Sequence, residues 1–192
     1  MKLTKDNIPK YTGRGDWTDT VKCGAYSVRV KCSRDDMMGE PWKEHDGHGP
    51  VSDWRAKDSK RAGERILCED RGMARFYDFA AAVKLAKADG WDALPYKTGT
   101  AGERAVRAVE KDMQYLADWC ADRWCWVYVV AEVSRNGAVI GQESCGGIES
   151  EGDYWREMAA ELAQGLIDAD KAERRERNYW NARDVMTVGA HT

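Results

Sequence analysis

The stretch WCWVYVVAEV (Trp124–Val133), with Asn136-Gly137 and then AVIGQES (Ala138–Ser144) behind it, decides the fold. Aromatic and β-branched side chains fit a pleated, half-buried surface, and Asn-Gly supplies the two positive φ angles that a two-residue hairpin turn requires. A central antiparallel hairpin is therefore expected here. Upstream, Tyr26, Val28 and Val30 alternate with Ser27, Arg29 and Lys31, which predicts one strand within Thr20–Cys32. Arg65–Glu69 and Met73–Tyr77 flank Asp70-Arg71-Gly72 and predict a second hairpin. Asp78 then caps a helix with the stripe Phe79, Ala82, Val83 and Ala86, which Gly90 ends. Thr100 and Glu103 form a capping box, and Val106, Val109, Met113, Leu116 and Cys120 follow at helical spacing. A third helix is expected from Asp153 to about Glu176, carrying Trp155, Met158, Ala159, Leu162 and Leu166.

This order predicts an α+β fold: one domain over residues 1–192, with an antiparallel sheet of about five strands packed against three helices. Residues 33–62 lack periodicity and hold five Gly or Pro between Gly39 and Pro50, so a long loop is expected. Residues 178–192 are expected to form a loosely held tail. Only 28 of the 192 residues are Leu, Ile, Val or Phe, but nine Trp, eight Tyr and 24 Ala replace them. Each buried aromatic removes roughly 150–250 Å² from water, so a core can still be assembled.

The chain has 30 basic and 33 acidic side chains, net −3. That balance lacks the basic excess of a phosphate-binding protein, and direct nucleic-acid binding is not expected. The absence of a long apolar run or an apolar N-terminal segment predicts a cytoplasmic protein without a membrane span. The six cysteines are expected to be reduced thiols that behave as small apolar residues. Charge is uneven: between Glu143 and Asp170, eight carboxylates face one base, Arg156. Glu149, Glu151, Asp153, Glu157 and Glu161 thus form a candidate acidic face for a basic groove on a partner, or a solvated helix surface.

The densest chemistry lies in PWKEHDGHGPVSDW (Pro41–Trp54), where Glu44, His45, Asp46, His48 and Asp53 fall within ten residues. Imidazole and carboxylate serve both as metal ligands and as acid/base groups. Against a metal at His45 and His48, the loop lacks the i, i+4 helical spacing that places two imidazoles together, and no third internal His exists. No metal or cofactor is expected, and the loop reads first as an ordered surface segment pinned by Trp42 and Trp54. Gly13-Arg14-Gly15 and Cys145-Gly146-Gly147 are too short for phosphate-binding loops. Trp124, Trp126 and Tyr128 read as core rather than as a base-stacking platform, and Arg55, Lys57, Lys60, Arg61 and Arg65 are the residues a nucleic-acid module would use.

Taken together, PWKEHDGHGPVSDW, AGERILCEDRGMARFYDF, ADGW, DWCADRWCWVYVV and GGIES with an acidic helix resemble a family of small accessory proteins of tailed bacteriophages and prophages, over about residues 38 to 167. Where members often read Leu-Trp-Gly-Ile-Glu, this chain has SCGGIE at 144–149. The resemblance implies a non-virion protein acting in a bacterial cytoplasm, and it carries over no catalytic residue. With that setting, the lack of a catalytic signature, the acidic helix and the Trp-bearing loop lead to the expectation of an inhibitor, monomeric or homodimeric, that binds a host protein or ribonucleoprotein complex such as a CRISPR effector or restriction enzyme. Its expected contacts are Trp42, Trp54 and the five carboxylates from Glu149 to Glu161. The alternatives are a metal-dependent or acid/base hydrolase centred on His45 and His48, or a nucleic-acid-binding module.

Overall fold

The computed structural model describes residues 2–10, 16–91 and 98–188; for 183–188 it describes the backbone alone. Gly13-Arg14-Gly15 and the last four residues of the tail lie outside the described residues. In chain order the elements are β1 (Trp17–Cys23), β2 (Tyr26–Arg34), α1 (Pro41–Glu44), β3 (Arg55–Ala56), β4 (Glu64–Asp70), β5 (Met73–Asp78), α2 (Phe79–Asp89), α3 (Ala101–Cys120), β6 (Trp126–Arg135), β7 (Ala138–Glu149) and α4 (Tyr154–Val188). The α+β class holds. The described strands number seven rather than about five, and they divide over two antiparallel sheets, β1-β2-β6-β7 and β3-β5-β4. Two compact units contain them: Met1–Asp36 with Trp126–Thr192, and Met37–Cys125.

The first unit is built on the β6–β7 hairpin, whose Asn136 and Gly137 adopt the expected positive φ of 51° and 84°. The single strand expected within Thr20–Cys32 is instead two, turned at Gly24, whose φ of 62° favours a residue without Cβ. The inward face of this sheet carries Tyr26, Val28, Val30 and Cys32 from β2, and Val129, Ala131 and Val133 from β6, all buried. α4 covers that face with Trp155, Ala159, Ala160, Ala163 and Ile167. Gly141 on β7 leaves room for Leu166 of α4: a Cβ on Gly141 would lie 2.7 Å from Leu166 Cδ2. Trp17 meets Trp155 edge to face at 5.5 Å, so aromatics supply the area that a scarce aliphatic content does not. α4 continues to Val188, twelve residues past the expected end, and most of the expected tail is helical.

In the second unit the β4–β5 hairpin turns through Arg71 and Gly72, both at positive φ (47° and 82°). The Asp78 carboxylate accepts from the Ala81 N–H at 2.9 Å and starts α2, and Gly90 in the left-handed region ends it. The Thr100–Glu103 capping box starts α3 as predicted. Leu67, Tyr77, Ala82, Ala86, Ala105, Val109 and Leu116 form this unit's core. The expected loop over 33–62 contains α1 and β3, and Val51 bridges to Tyr77 as a further extended segment.

Candidate functional site

The loop Pro41–Trp54 is held from within its own unit. Pro41 at the first position starts α1, because its missing N–H would be unsatisfied there anyway. Glu44 accepts from the Gly39 N–H at 3.0 Å. Further on, the Ser52 N–H donates to the Phe76 carbonyl (2.9 Å), and the Phe76 N–H donates back to Ser52 Oγ (3.0 Å). The chain must pass hard against Tyr77 in between. A Cβ on Gly49 would lie 2.2 Å from Tyr77 Oη and 2.7 Å from Ala82 Cβ, so only glycine fits without rearrangement.

At this crossing Asp112, on α3, gathers three donors. Its Oδ1 lies 2.6 Å from His48 Nδ1, and its Oδ2 accepts from the Gly49 N–H (2.8 Å) and the Tyr77 hydroxyl (2.6 Å). A carboxylate can only accept, so His48 Nδ1 carries the hydrogen of this bond and Nε2 is the ring nitrogen not bonded to Asp112. The His48 side chain is 16% exposed and that of Asp112 10%. The His48 ring lies nearly parallel to Tyr115 at 5.7 Å, and Tyr115 packs at 4.4 Å on Trp124, whose indole N–H donates to the Tyr115 carbonyl. Burial, reinforced by the Asp112 carboxylate, pushes the Tyr77 phenol far above its ordinary range, so it keeps the proton that it donates to Asp112. Three hydrogen bonds thus clamp loop, strand and helix on one carboxylate. An oriented imidazole is the result.

A second cluster sits around Arg75 on β5. Arg75 is 9% exposed, and its guanidinium donates to Glu40 Oε1 at 2.5 Å and lies 5.1 Å from the Trp42 ring centre and 5.2 Å from that of Trp54. Burial pushes the Glu40 carboxyl up, but the Lys43 hydrogen bond and the Arg75 charge together hold it below the ordinary value. Trp42 is half-buried and packs edge to face on Trp119 at 5.5 Å. Trp54 stays 42% exposed over the same cation.

The sequence-derived candidates therefore separate. His48 turns inward, whereas Glu44, His45, Asp46 and Asp53 are exposed and do not join it. Among the described residues no group of three His, Cys, Asp or Glu lies together in a way that could hold a metal ion. Asp112, the partner that orients His48, was not a sequence candidate, although it occupies a position on the helix face of Val109 and Leu116 where an apolar residue would be expected. Of the carboxylates in the first unit, Asp153 bonds Arg156 at 2.7 Å, and Glu157 bonds Lys5 at 2.6 Å. Lys5, far away in sequence, thereby reduces the acidic face. Glu149 is half-buried, Glu151 is exposed, and Glu161 lines a groove beside Lys2, Lys5 and Asp168. Trp124 and Trp126 are buried at 2% and 3% and form core as expected, whereas Tyr128, expected to join them, is 38% exposed where the β6–β7 register shifts between Val127 and Val129. Among the basic candidates, Arg55 pairs with Glu64 at 2.8 Å, Lys57 with Glu69 at 2.5 Å, and Arg65 lies over Phe79.

Comparison of the chain with protein-family models, with curated proteins and with solved structures gives no match.

Proposed function

We propose that the protein is a phage-type accessory protein that acts in the bacterial cytoplasm by binding a host macromolecular complex, a defence effector being the expected target, and that the loop Pro41–Trp54 is its principal contact surface. The observation that carries this reading is Trp54: a large aromatic, 42% exposed, seated on a buried arginine and carried by a loop tied down at His48, Gly49 and Ser52. Tryptophan and arginine dominate the energetics of protein interfaces. A loop already fixed before contact loses little conformational entropy on binding, so more of its contact energy appears as affinity. The flanking His45, Asp46 and Asp53 are exposed and supply a polar rim. The carboxylates of the first unit play a smaller part than composition suggests, because Lys5 and Arg156 already pair with two of them. Affinity capture of the tagged protein from phage-host lysate, with mass spectrometry of the stoichiometric partner, tests the reading. A defence complex at near-equal ratio supports it, and a partnerless protein refutes it.

A second reading is favoured by one feature, the His48–Asp112 pair. A carboxylate on Nδ1 is the arrangement that orients an imidazole for proton transfer through Nε2. On this reading His48 is a general base, Asp112 is its positioning residue, and hydrolysis of a small substrate would be abolished by His48→Gln with the fold retained. Turnover that survives this substitution would exclude it.

A further inference from the structure

We propose that Cys68 and Cys120 form an oxidisable dithiol, in which Cys68 reacts first with a hydroperoxide and Cys120 resolves the product to an intramolecular disulfide. Their placement begins with a bulge in β4. Ile66 pairs with Phe76 and Cys68 with Arg75, so Leu67 is an extra residue on the β4 side. A bulge re-aims the side chain that follows it. Cys68 is therefore set opposite Arg75 instead of Ala74, and directly opposed residues share a face of the sheet. α3 packs against β4 and ends at Cys120, on the rim of the core that contains Leu67 and Tyr77. The two thiols, 52 positions apart in the chain, are half-buried, and each acts on the ionisation of the other.

Arg75 supplies an independent indication that an anion belongs here. It is 9% exposed, and while one terminal nitrogen binds Glu40, the other, Nη1, is buried without a hydrogen-bond partner. A buried guanidinium donor left unpaired is costly, and a thiolate beside it would supply the missing charge. The Arg75 charge acts on both thiols. The hydrogen bond from Cys120, aided by Arg75 and opposed by burial, brings the Cys68 thiol down to about 7. Its hydrogen bond to Cys68, together with burial, pushes the Cys120 thiol up, so Cys120 keeps its proton while Cys68 is the thiolate. The charged groups that face the pair are therefore Arg75 from β5 and, through Arg75, Glu40 from the segment before α1.

The chemistry balances with a hydroperoxide as the two-electron oxidant. The Cys68 thiolate attacks the peroxide oxygen, the O–O bond breaks, and hydroxide leaves as Cys68 becomes a sulfenic acid. Because the neutral sulfenic acid no longer carries the negative charge that held the Cys120 proton, the resolving thiol can ionise. Cys120 then attacks the Cys68 sulfur, the S–O bond breaks, and the departing hydroxyl takes the thiol proton as water. The resulting bond, about 2 Å long, ties β4 to the last residue of α3.

Two measurements on the full chain test this. Iodoacetamide alkylation of Cys68, followed across pH by peptide mass spectrometry on the unmodified protein, should reach half its maximal rate near pH 7. A midpoint in the ordinary thiol range near 8.5 would overturn the assignment of Cys68 as the reactive thiol. After one equivalent of hydrogen peroxide, the chain should lose 2 Da and yield a Cys68–Cys120 cross-linked peptide. In Cys120→Ser, Cys68 should stop as a sulfenic acid that dimedone traps, and Cys68→Ser should give neither product. Absence of the cross-link in the unmodified protein, or cross-linking of other cysteines in its place, overturns the dithiol whatever the variants do.

Discussion

Asp112 shows how one side chain can fix a loop that its own sequence leaves unspecified. Three buried or half-buried donors converge on it, and each donor that loses its acceptor costs about 1–3 kcal/mol. Asp112→Ala should therefore lower the unfolding free energy by about 3–5 kcal/mol in urea titration, whereas Tyr77→Phe should cost only about 1 kcal/mol; equal effects would contradict the shared clamp. Gly49→Ala should destabilise as well, because its methyl would meet the Tyr77 hydroxyl and Ala82. A different residue governs the acid response. Asp170, on α4, accepts from the Tyr26 hydroxyl at 2.7 Å and pairs with Arg135 at 3.1 Å, so its carboxyl is held below the ordinary range, chiefly by the Tyr26 hydrogen bond. A depressed folded-state value contributes stability above about pH 3.9 that is lost as pH falls through the folded value. Asp170→Asn should thus destabilise at pH 7 and much less at pH 3; an equal loss at both would show that its ionisation does not matter. Residue-level reading of the sequence found His48 but not Asp112, since they lie 64 positions apart and only the fold joins them. The same distance hid Lys5 from the acidic face and Cys68 from Cys120.

Elements were legible wherever a local signal had a steric cause. Asn136-Gly137 and Gly72 mark turns because their backbones must reach positive φ, and Thr100 with Glu103 marks a helix start because two orphan N–H groups need acceptors. The β1–β2 hairpin was hidden as one strand, although the apolar positions slip phase between Cys23 and Tyr26, across Gly24 and Ala25. α4 exceeds its predicted length for another reason. Hydrophobic periodicity reports what a helix packs against, not where it ends, and the described residues from Ala172 to Ala182 are all exposed. Pairs such as Glu173 with Arg177 at 2.8 Å support that exposed stretch. Ending the chain after Glu176 should accordingly shift the melting temperature little, while Ile167→Ala in the packed part should cost about 2–5 kcal/mol, both read by thermal and urea unfolding. A large loss on truncation would mean that the exposed part of the helix contributes to folding.

At the scale of the molecule, the α+β class followed from the succession of strands and helices, but the division into two units did not. The first unit joins both ends of the chain through the β2–β6 pairing, in which Tyr26 lies opposite Arg135, and the second is the intervening segment. Neither junction, Asp36-Met37 or Cys125-Trp126, carries the Gly- or Ser-rich composition that marks a linker. The division also separates the expected contact residues, with Trp42 and Trp54 in one unit and Glu149 to Glu161 in the other. That makes the two groups separable by mutation. The most direct test of a contact role for the loop is capture from phage-host lysate by the unmodified protein and by Trp54→Ala, with matched far-UV circular dichroism. The account predicts that the stoichiometric partner falls at least about tenfold with Trp54→Ala, as for an interface hot spot. An identical set of partners on both proteins would contradict it.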